Sequence, residues 1–308
     1  MVHRLRSLIL LVLVVAPSVG ALDRLDYRAV HETWPDGRLA WRTWNEPDGP
    51  RWLVVNPVTL EVAVSTGPSA EPPPAGPNTY RQLRTAARLR RGGLQNAGLR
   101  VGAPVRTGAW LTFDLCPSPH PLDRQLFLDL EPDEVPLPVF LEVSGRWMES
   151  HPDDLAWLRA ERDAGRLAVT WVNHTENHVY HPREPLDHNF LLLPGTDLPS
   201  EIFQVEQRLL DLGEVPSVFF RFPGLVSSPE LVDEVLALGL IPLGSSAWLA
   251  KQQNVKSGAI VLTHANGNEP QGLEILERWD GQHRADVATG QWHWLGPGDW
   301  VGAAPPPP

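Results

Sequence analysis

One cysteine, Cys116, stands in 308 residues. No intrachain disulfide can form, so the fold must be held by its core or by a metal. Positive charge is also scarce. The formal net charge is −11, and the basic residues cluster only at Arg81, Arg84, Arg88, Arg90 and Arg91. Binding to a phosphate backbone runs on a positive field, which excludes nucleic acid as a general partner. The arginine cluster reads as a solvated helix face. Beyond the first 21 residues no apolar run is long enough to span a bilayer, and no internal repeat is apparent.

The N-terminus differs from the rest. Arg4 and Arg6 precede an apolar run, Leu8 to Val15, and small residues lead to Ala21. This is the pattern of a secretory signal peptide over 1–21, with cleavage expected after Ala21. A retained anchor is the alternative, although the run is short for one. The expectation is an exported protein, periplasmic or secreted, with no stable membrane anchor after cleavage.

What the chain has in quantity is tryptophan, 13 residues of it, and 42% hydrophobic residues. That suffices for one large domain and a smaller attached piece. Residues 22–104 read as a β-rich N-terminal region and linker. Strands are expected over 38–44, 51–56 and 58–64, separated by Pro35-Asp-Gly37 and Pro47-Asp-Gly-Pro50. The tryptophans here could form a core or a sugar-stacking face. Ser69 to Pro77 is a stiff proline-rich linker, and a helix follows over 80–91, stopped by Gly92-Gly93.

From residue 105 to about 285 strands alternate with helices. Strands are expected over 109–114, 137–143, 167–172, 218–222 and 259–264. Helices are expected over 152–163, 200–212 (capped by Ser200) and 228–238. Such alternation implies an α/β fold, a parallel sheet or a (β/α) barrel, with functional groups at the C-terminal strand ends. Asp114, His174, His178, Arg221 and His264 all fall at such ends. Residues 286–308 form a tail rich in tryptophan and proline.

His174 and His178 are four residues apart. On a helix or a tight turn both imidazoles can reach one metal ion, while two solvated loop histidines are the bland alternative. If they share a pocket with Asp114, a divalent metal held there keeps positions open for water and a carbonyl. A carboxylate beside it can take a proton, a separate histidine can protonate a leaving amine, and an arginine can keep the carboxylate ionised. This is apparatus for amide or ester hydrolysis.

These residues resemble the motifs of the polysaccharide deacetylases with the NodB-homology domain, carbohydrate esterase family 4. Thr112-Phe-Asp-Leu-Cys-Pro-Ser118, the stretch Val135 to Pro152 with Phe140 and Gly145-Arg-Trp147, His174-Thr-Glu-Asn-His178, Arg221-Phe-Pro-Gly224 and Ile260-Val-Leu-Thr-His264 stand in the family's order over roughly 105–272, and Ser245-Ser-Ala-Trp248 looks like its fourth motif. The resemblance implies a distorted (β/α) barrel of the NodB-homology type. It implies a general base at Asp114, held by Arg221, a general acid at His264, and metal ligands at His174 and His178. It also implies substrate contacts at Leu262, Trp248 and Pro223, with zinc or another divalent metal as cofactor.

Two positions depart from the family pattern. Leu115 stands where the third metal ligand, an Asp, is normally found, and Ala247 where an Asp normally tunes the catalytic histidine. Asp114 itself or Cys116 is then the candidate third ligand, with Asp123 and His120 as weaker ones, and Cys116 as a small buried residue is the bland alternative. The reading is an exported, metal-dependent hydrolase removing N- or O-linked acetyl groups from a polysaccharide. Its rival is a decayed deacetylase-like domain that binds carbohydrate in the cell envelope. A hydrolase of small cyclic amides is a third class, at odds with export. The sequon Asn173-His-Thr175 lies within the histidine motif and reads as fortuitous.

Overall fold

A computed structural model describes residues 26–130 and 136–300. The segments expected to be the signal peptide and the end of the tail lie outside the described residues.

The N-terminal region is a four-stranded antiparallel sheet, β1 (Arg28–Thr33), β2 (Leu39–Glu46), β3 (Gly49–Val55) and β4 (Val62–Ser65), paired in sequence order. β1 has no counterpart in the sequence reading, because its residues are mostly polar and exposed. The run expected as one strand over 58–64 is instead a turn followed by β4, since Leu60 takes a left-handed φ of 65°. Along β2 a bulge between Ala40 and Arg42 brings Trp41 to the same side as Trp44, onto the larger domain, where both are buried. Trp34 packs edge-on against Trp52 in a separate small cluster. These tryptophans are core rather than a sugar face. Arg42, fully buried on β2, reaches α5 (Leu198–Asp211) and pairs with Glu206 at 2.7 and 2.9 Å.

After the linker comes α1 (Thr79–Arg88), capped by the Asn78 side chain accepting from the Arg81 amide. It ends at Arg88, three residues short of the expected stop. Of its arginine cluster, Arg84 donates to the Leu236 carbonyl, while Arg88 and Arg91 pair with Asp233.

The large domain is built on a parallel sheet. Its strands are β5 (Gly108–Leu115), β6 (Leu137–Val143), β7 (Leu167–Asn173), β8 (Phe219–Phe220), β9 (Ile241–Pro242), β10 (Ala247–Trp248), β11 (Ile260–Thr263) and β12 (His293–Trp294). The path runs β10-β11-β5-β6-β7-β8-β9, with β12 added to β5. The curled sheet is a distorted (β/α) barrel. Residues 95–101 bridge its open side, pairing with residues 226, 243 and 259. The helices are α2 (Arg124–Leu130), α3 (Gly145–Ser150), α4 (Pro152–Asp163), α5, α6 (Pro229–Ala237) and α7 (Pro270–Ala288). α5 starts at Leu198, not at Ser200, with Asp197 as the flanking residue and Pro199 in the first turn. Among the described residues no helix is long and apolar enough to cross a membrane.

Strand alternation divides the core in two. On β5 the side chains of Leu111, Phe113 and Leu115 face the helical layer, with Phe127, Leu141 and Leu158. Trp110 faces the barrel interior with Phe140, Phe219 and Trp300, and stacks on Trp300 at 4.3 Å between ring centroids. The floor of the barrel is therefore aromatic and closed. At the opposite, C-terminal end the same alternation turns Thr112, Asp114 and Cys116 inward.

Candidate active site

Five strands of the barrel deliver polar groups at or near their C-terminal ends. β5 ends in Asp114 and, just beyond its last residue, Cys116. β6 contributes Glu142, β7 runs into His174, β8 into Arg221 and β11 into His264. The cleft above them has a volume of about 970 Å³, and its wall includes Asp114, Cys116, His178, Trp248, Leu262 and His264.

The two histidines come together through a tight turn rather than a helix. Thr175 and His178 take left-handed φ values of 70° and 47°, uncommon for residues with a side chain. The turn is over-determined by its neighbours. Asn173 Oδ1 accepts from the Thr175 amide at 3.1 Å, and its Nδ2 donates to the Ile202 carbonyl at 2.8 Å. The Asn177 amide and side chain both donate to Glu201 at the start of α5, at 2.8 and 2.7 Å. Glu176 points away from the cleft, pairs with Arg208 at 2.7 Å and packs on Gly145, where any Cβ would strike its carboxylate. The result is a pair of imidazole rings with centroids 4.7 Å apart. Asn173 and Thr175 are buried, which leaves the sequon closed in the folded protein.

Cys116 joins this pair. The sulfur and one ring nitrogen each of His174 and His178 lie within 4.8 Å of one another, and Cys116 Sγ is 3.5 Å from His174 Nε2. The donor states suit a cation. His174 Nδ1 donates to the Arg221 carbonyl at 2.9 Å, which leaves the Nε2 lone pair facing the sulfur. Burial lowers the His174 pKa to about 4, against the opposing pull of Asp114, so the ring is neutral at neutral pH. His178 Nε2 is buried without a hydrogen-bond partner. Burial pushes the Cys116 thiol up, but His178 and His264 outweigh it and bring its pKa to about 7. A thiol ready to ionise, the neutral His174 ring and the imidazole of His178 form a donor set that fits zinc. Asp123 is not part of it: its side chain accepts from the Leu126 amide at the start of α2. His120 is exposed and packs against Gly267.

Asp114 stands beside this group rather than within it, with Oδ2 3.8 Å from His174 Nε2. Arg221 Nη1 donates to its Oδ1 at 2.9 Å. Burial acts to raise the Asp114 pKa, yet Arg221 first, and then the three histidines, hold it below the ordinary carboxylate range. Glu142 lies 3.5 Å from Nη2 of the same Arg221 and has the opposite fate. Burial and the charge of Asp114 outweigh Arg221 and raise its pKa to about 8. One arginine thus serves an ionised carboxylate facing the cleft and a neutral one below it.

Opposite Asp114, His264 has a partner that the sequence reading did not identify. Glu269 Oε2 lies 2.9 Å from His264 Nδ1 and accepts from Trp248 Nε1 at 2.7 Å. Burial acts to lower the His264 pKa, but Cys116, Glu269 and Asp114 raise it well above the usual value. Ala247 contributes no carboxylate, and its methyl group packs into the helical layer with Leu249 and Val261. Pro223 is buried and is not part of the cleft wall, where Gly224 and Leu225 stand in its place. Tyr180 and Phe190 stack at 5.1 Å with an interplanar angle of 13° and add an aromatic wall beside His178. His181 is an exposed loop residue, and His188 is exposed in a single 3-10 turn (Leu186–His188).

Solved structures place this architecture. A family 4 carbohydrate esterase from Bacillus anthracis superposes with a TM-score of 0.50 at 20% identity, over 74% of this chain and 93% of that one. The fold is that of the family 4 carbohydrate esterases. A Streptomyces lividans family 4 enzyme solved with acetate is similar at 19% identity and a TM-score of 0.44, over 66% of this chain and 98% of that one. A family 4 pseudoenzyme from Bacillus anthracis is similar at 16% identity and a TM-score of 0.44, covering 66% and 68% of the two chains. No family model matches the sequence. Against that family's pattern, Leu115 is not a lost ligand pointing into an empty site. It is core, and the residue after it, Cys116, faces the cleft beside the two histidines.

Proposed function

We propose that this chain is a metal-dependent deacetylase that hydrolyses acetyl groups on a polysaccharide, and that it works outside the cytoplasm. The observation that carries this reading is the convergence of Cys116, His174 and His178 between an ionised Asp114 and a protonated His264 in one cleft. A decayed site would have no need to keep five such groups together in one cleft. The first 21 residues support export, and the walls formed by Tyr180, Phe190 and Trp248 suit the apolar faces of sugar rings.

Cys116, His174 and His178 would hold the cation, and their soft, nitrogen-rich set favours zinc over magnesium or calcium. When bound, such an ion supplies Lewis-acid activation of a carbonyl and of water. The protein's own groups supply the rest. Asp114, kept ionised by Arg221, accepts a proton from the attacking water at Oδ2. His264, with Nδ1 turned to Glu269, presents Nε2 to the cleft and protonates the departing sugar nitrogen or oxygen. Leu262 lies beside them and offers an apolar contact for the acetyl methyl.

The test is acetate release from acetylated glycans, among them N-acetylglucosamine oligomers and acetylated xylan, by the zinc-loaded chain. Turnover abolished by a chelator and restored by zinc supports the reading. Absence of release from every glycan rejects it. A second reading rests on Cys116, which stands in the cleft wall with His264 and 3.5 Å from His174 Nε2, and in it the thiolate itself is the nucleophile. Turnover that survives complete metal removal would favour that one.

A further inference from the structure

His264 needs a partner on Nδ1 to fix which ring nitrogen faces the substrate, and the structure offers one candidate. Nδ1 is buried and makes no hydrogen bond within the linear range of its N–H. Glu269 Oε2, 2.9 Å away and off that line, is the one carboxylate oxygen within ion-pair distance of it among the described residues. Position 247 cannot serve, because the alternation of β10 turns it to the helical layer while Trp248 faces the cleft.

Glu269 comes from elsewhere in the fold. It flanks the N-terminus of α7, in the loop that follows β11, and Pro270 begins the helix immediately after it. Its side chain is only partly exposed, and the indole of Trp248 donates to the same Oε2 that faces the imidazole. Trp248 is fixed in turn: its amide donates to Gln253 Oε1 at 2.9 Å, and Lys251 Nζ sits 3.4 Å from the centre of its ring. The chain Lys251–Trp248–Glu269–His264 is a continuous brace.

We propose that Glu269 is the positioning residue of this site: it holds the Nδ1 proton of His264 and directs Nε2 at the leaving group, with Trp248 holding Glu269. The inference rests on the deacetylase reading for its activity test and on geometry alone for its spectroscopic one.

The experiment compares the zinc-loaded full chain with Glu269→Ala, Glu269→Gln and Trp248→Phe. Substrates are an N-acetylglucosamine oligomer, whose amine must be protonated to leave, and an aryl acetate, whose phenolate need not be. Loss of a positioned general acid is expected to lower kcat on the amide about 100-fold in Glu269→Ala, with KM within about twofold and the aryl acetate within about threefold. Glu269→Gln keeps an acceptor and is expected to recover roughly tenfold of that loss. Trp248→Phe is expected to fall between Glu269→Gln and the parent on the amide. In parallel, nitrogen-15 spectra of the imidazoles, taken at a pH high enough for His264 to be neutral, should report its ring protonated at Nδ1 in the parent and exchanging between tautomers in Glu269→Ala. Equal loss on both substrates, unchanged amide turnover, or an unchanged His264 spectrum overturns the inference. A parent with no turnover on either substrate rejects the deacetylase reading instead, and the spectrum then decides the pairing by itself.

Discussion

Arg221 accepts the Nδ1 proton of His174 on its main-chain oxygen at 2.9 Å, while its guanidinium donates to Asp114 at 2.9 Å. A single residue thus sets the tautomer of a candidate ligand and the charge of a candidate base. The carbonyl contact survives substitution and the guanidinium does not, so the two roles can be separated.

Arg221→Met leaves Asp114 and Glu142 buried without a cation. Breaking a buried pair in this way costs about 3–5 kcal/mol. We expect that loss in chemical denaturation, together with loss of turnover, while zinc affinity falls less because the His174 tautomer is still held. Binding of zinc that drops as far as in a histidine variant would contradict the separation.

Glu142 gives a pH signature. Its folded pKa is about 8, against an ordinary 4.5 in the unfolded chain. Below 4.5 both states are protonated and the group contributes no pH dependence. Between 4.5 and 8 the folded protein keeps a proton that the unfolded chain has released, so stability falls as pH rises, by up to about 1.4 kcal/mol per unit. Glu142→Gln removes this slope. Its melting temperature relative to the parent should climb steadily from about pH 5 to pH 8, and a difference that stays constant over that range would refute the assignment.

Gly145 is required by a close approach rather than by its backbone angle. A methyl group there would run into the Glu176 carboxylate, which Arg208 holds in place. Gly145→Ala should cost about 1–3 kcal/mol as overpacking and should disturb the turn that joins the two histidines. Thermal unfolding and zinc titration of this variant would show both losses, and normal zinc binding would mean the turn is held without this contact.

Cys116 separates a ligand from a core residue. In the cobalt-loaded protein a thiolate ligand gives charge-transfer absorption in the near ultraviolet, which Cys116→Ser should abolish. Cys116→Asp should keep metal binding without that absorption. An identical spectrum in parent and Cys116→Ser would remove the sulfur from the donor set.

Much of this site was legible because the parallel strands deliver side chains at their C-terminal ends. Asp114, His174, Arg221 and His264 could each be placed from a β-prone run and the polar residue that ended it. The pleat's period of two also made Cys116 a candidate, since it shares the inward face with Asp114 while Leu115 cannot. The local sequence could not choose between a small core residue and a ligand, because that depends on what the neighbouring strands bring to the sulfur. Glu269 was out of reach for the same reason. It stands in a polar loop with no periodic pattern, and only the packing of Trp248 across the cleft gives it a role. The start of α5 at Leu198 and the polar strand β1 were missed because a capping serine and an apolar run are only local signals, overridden here by Pro199 and by pairing with β2.

The most direct measurement is the divalent metal content of the purified chain, beside His174→Ala and His178→Ala. The account predicts close to one equivalent of zinc in the parent after exposure to zinc at neutral pH, and less than a tenth of that in either variant. A parent that takes up no metal under those conditions would contradict the central claim and leave the cleft as a carbohydrate-binding surface.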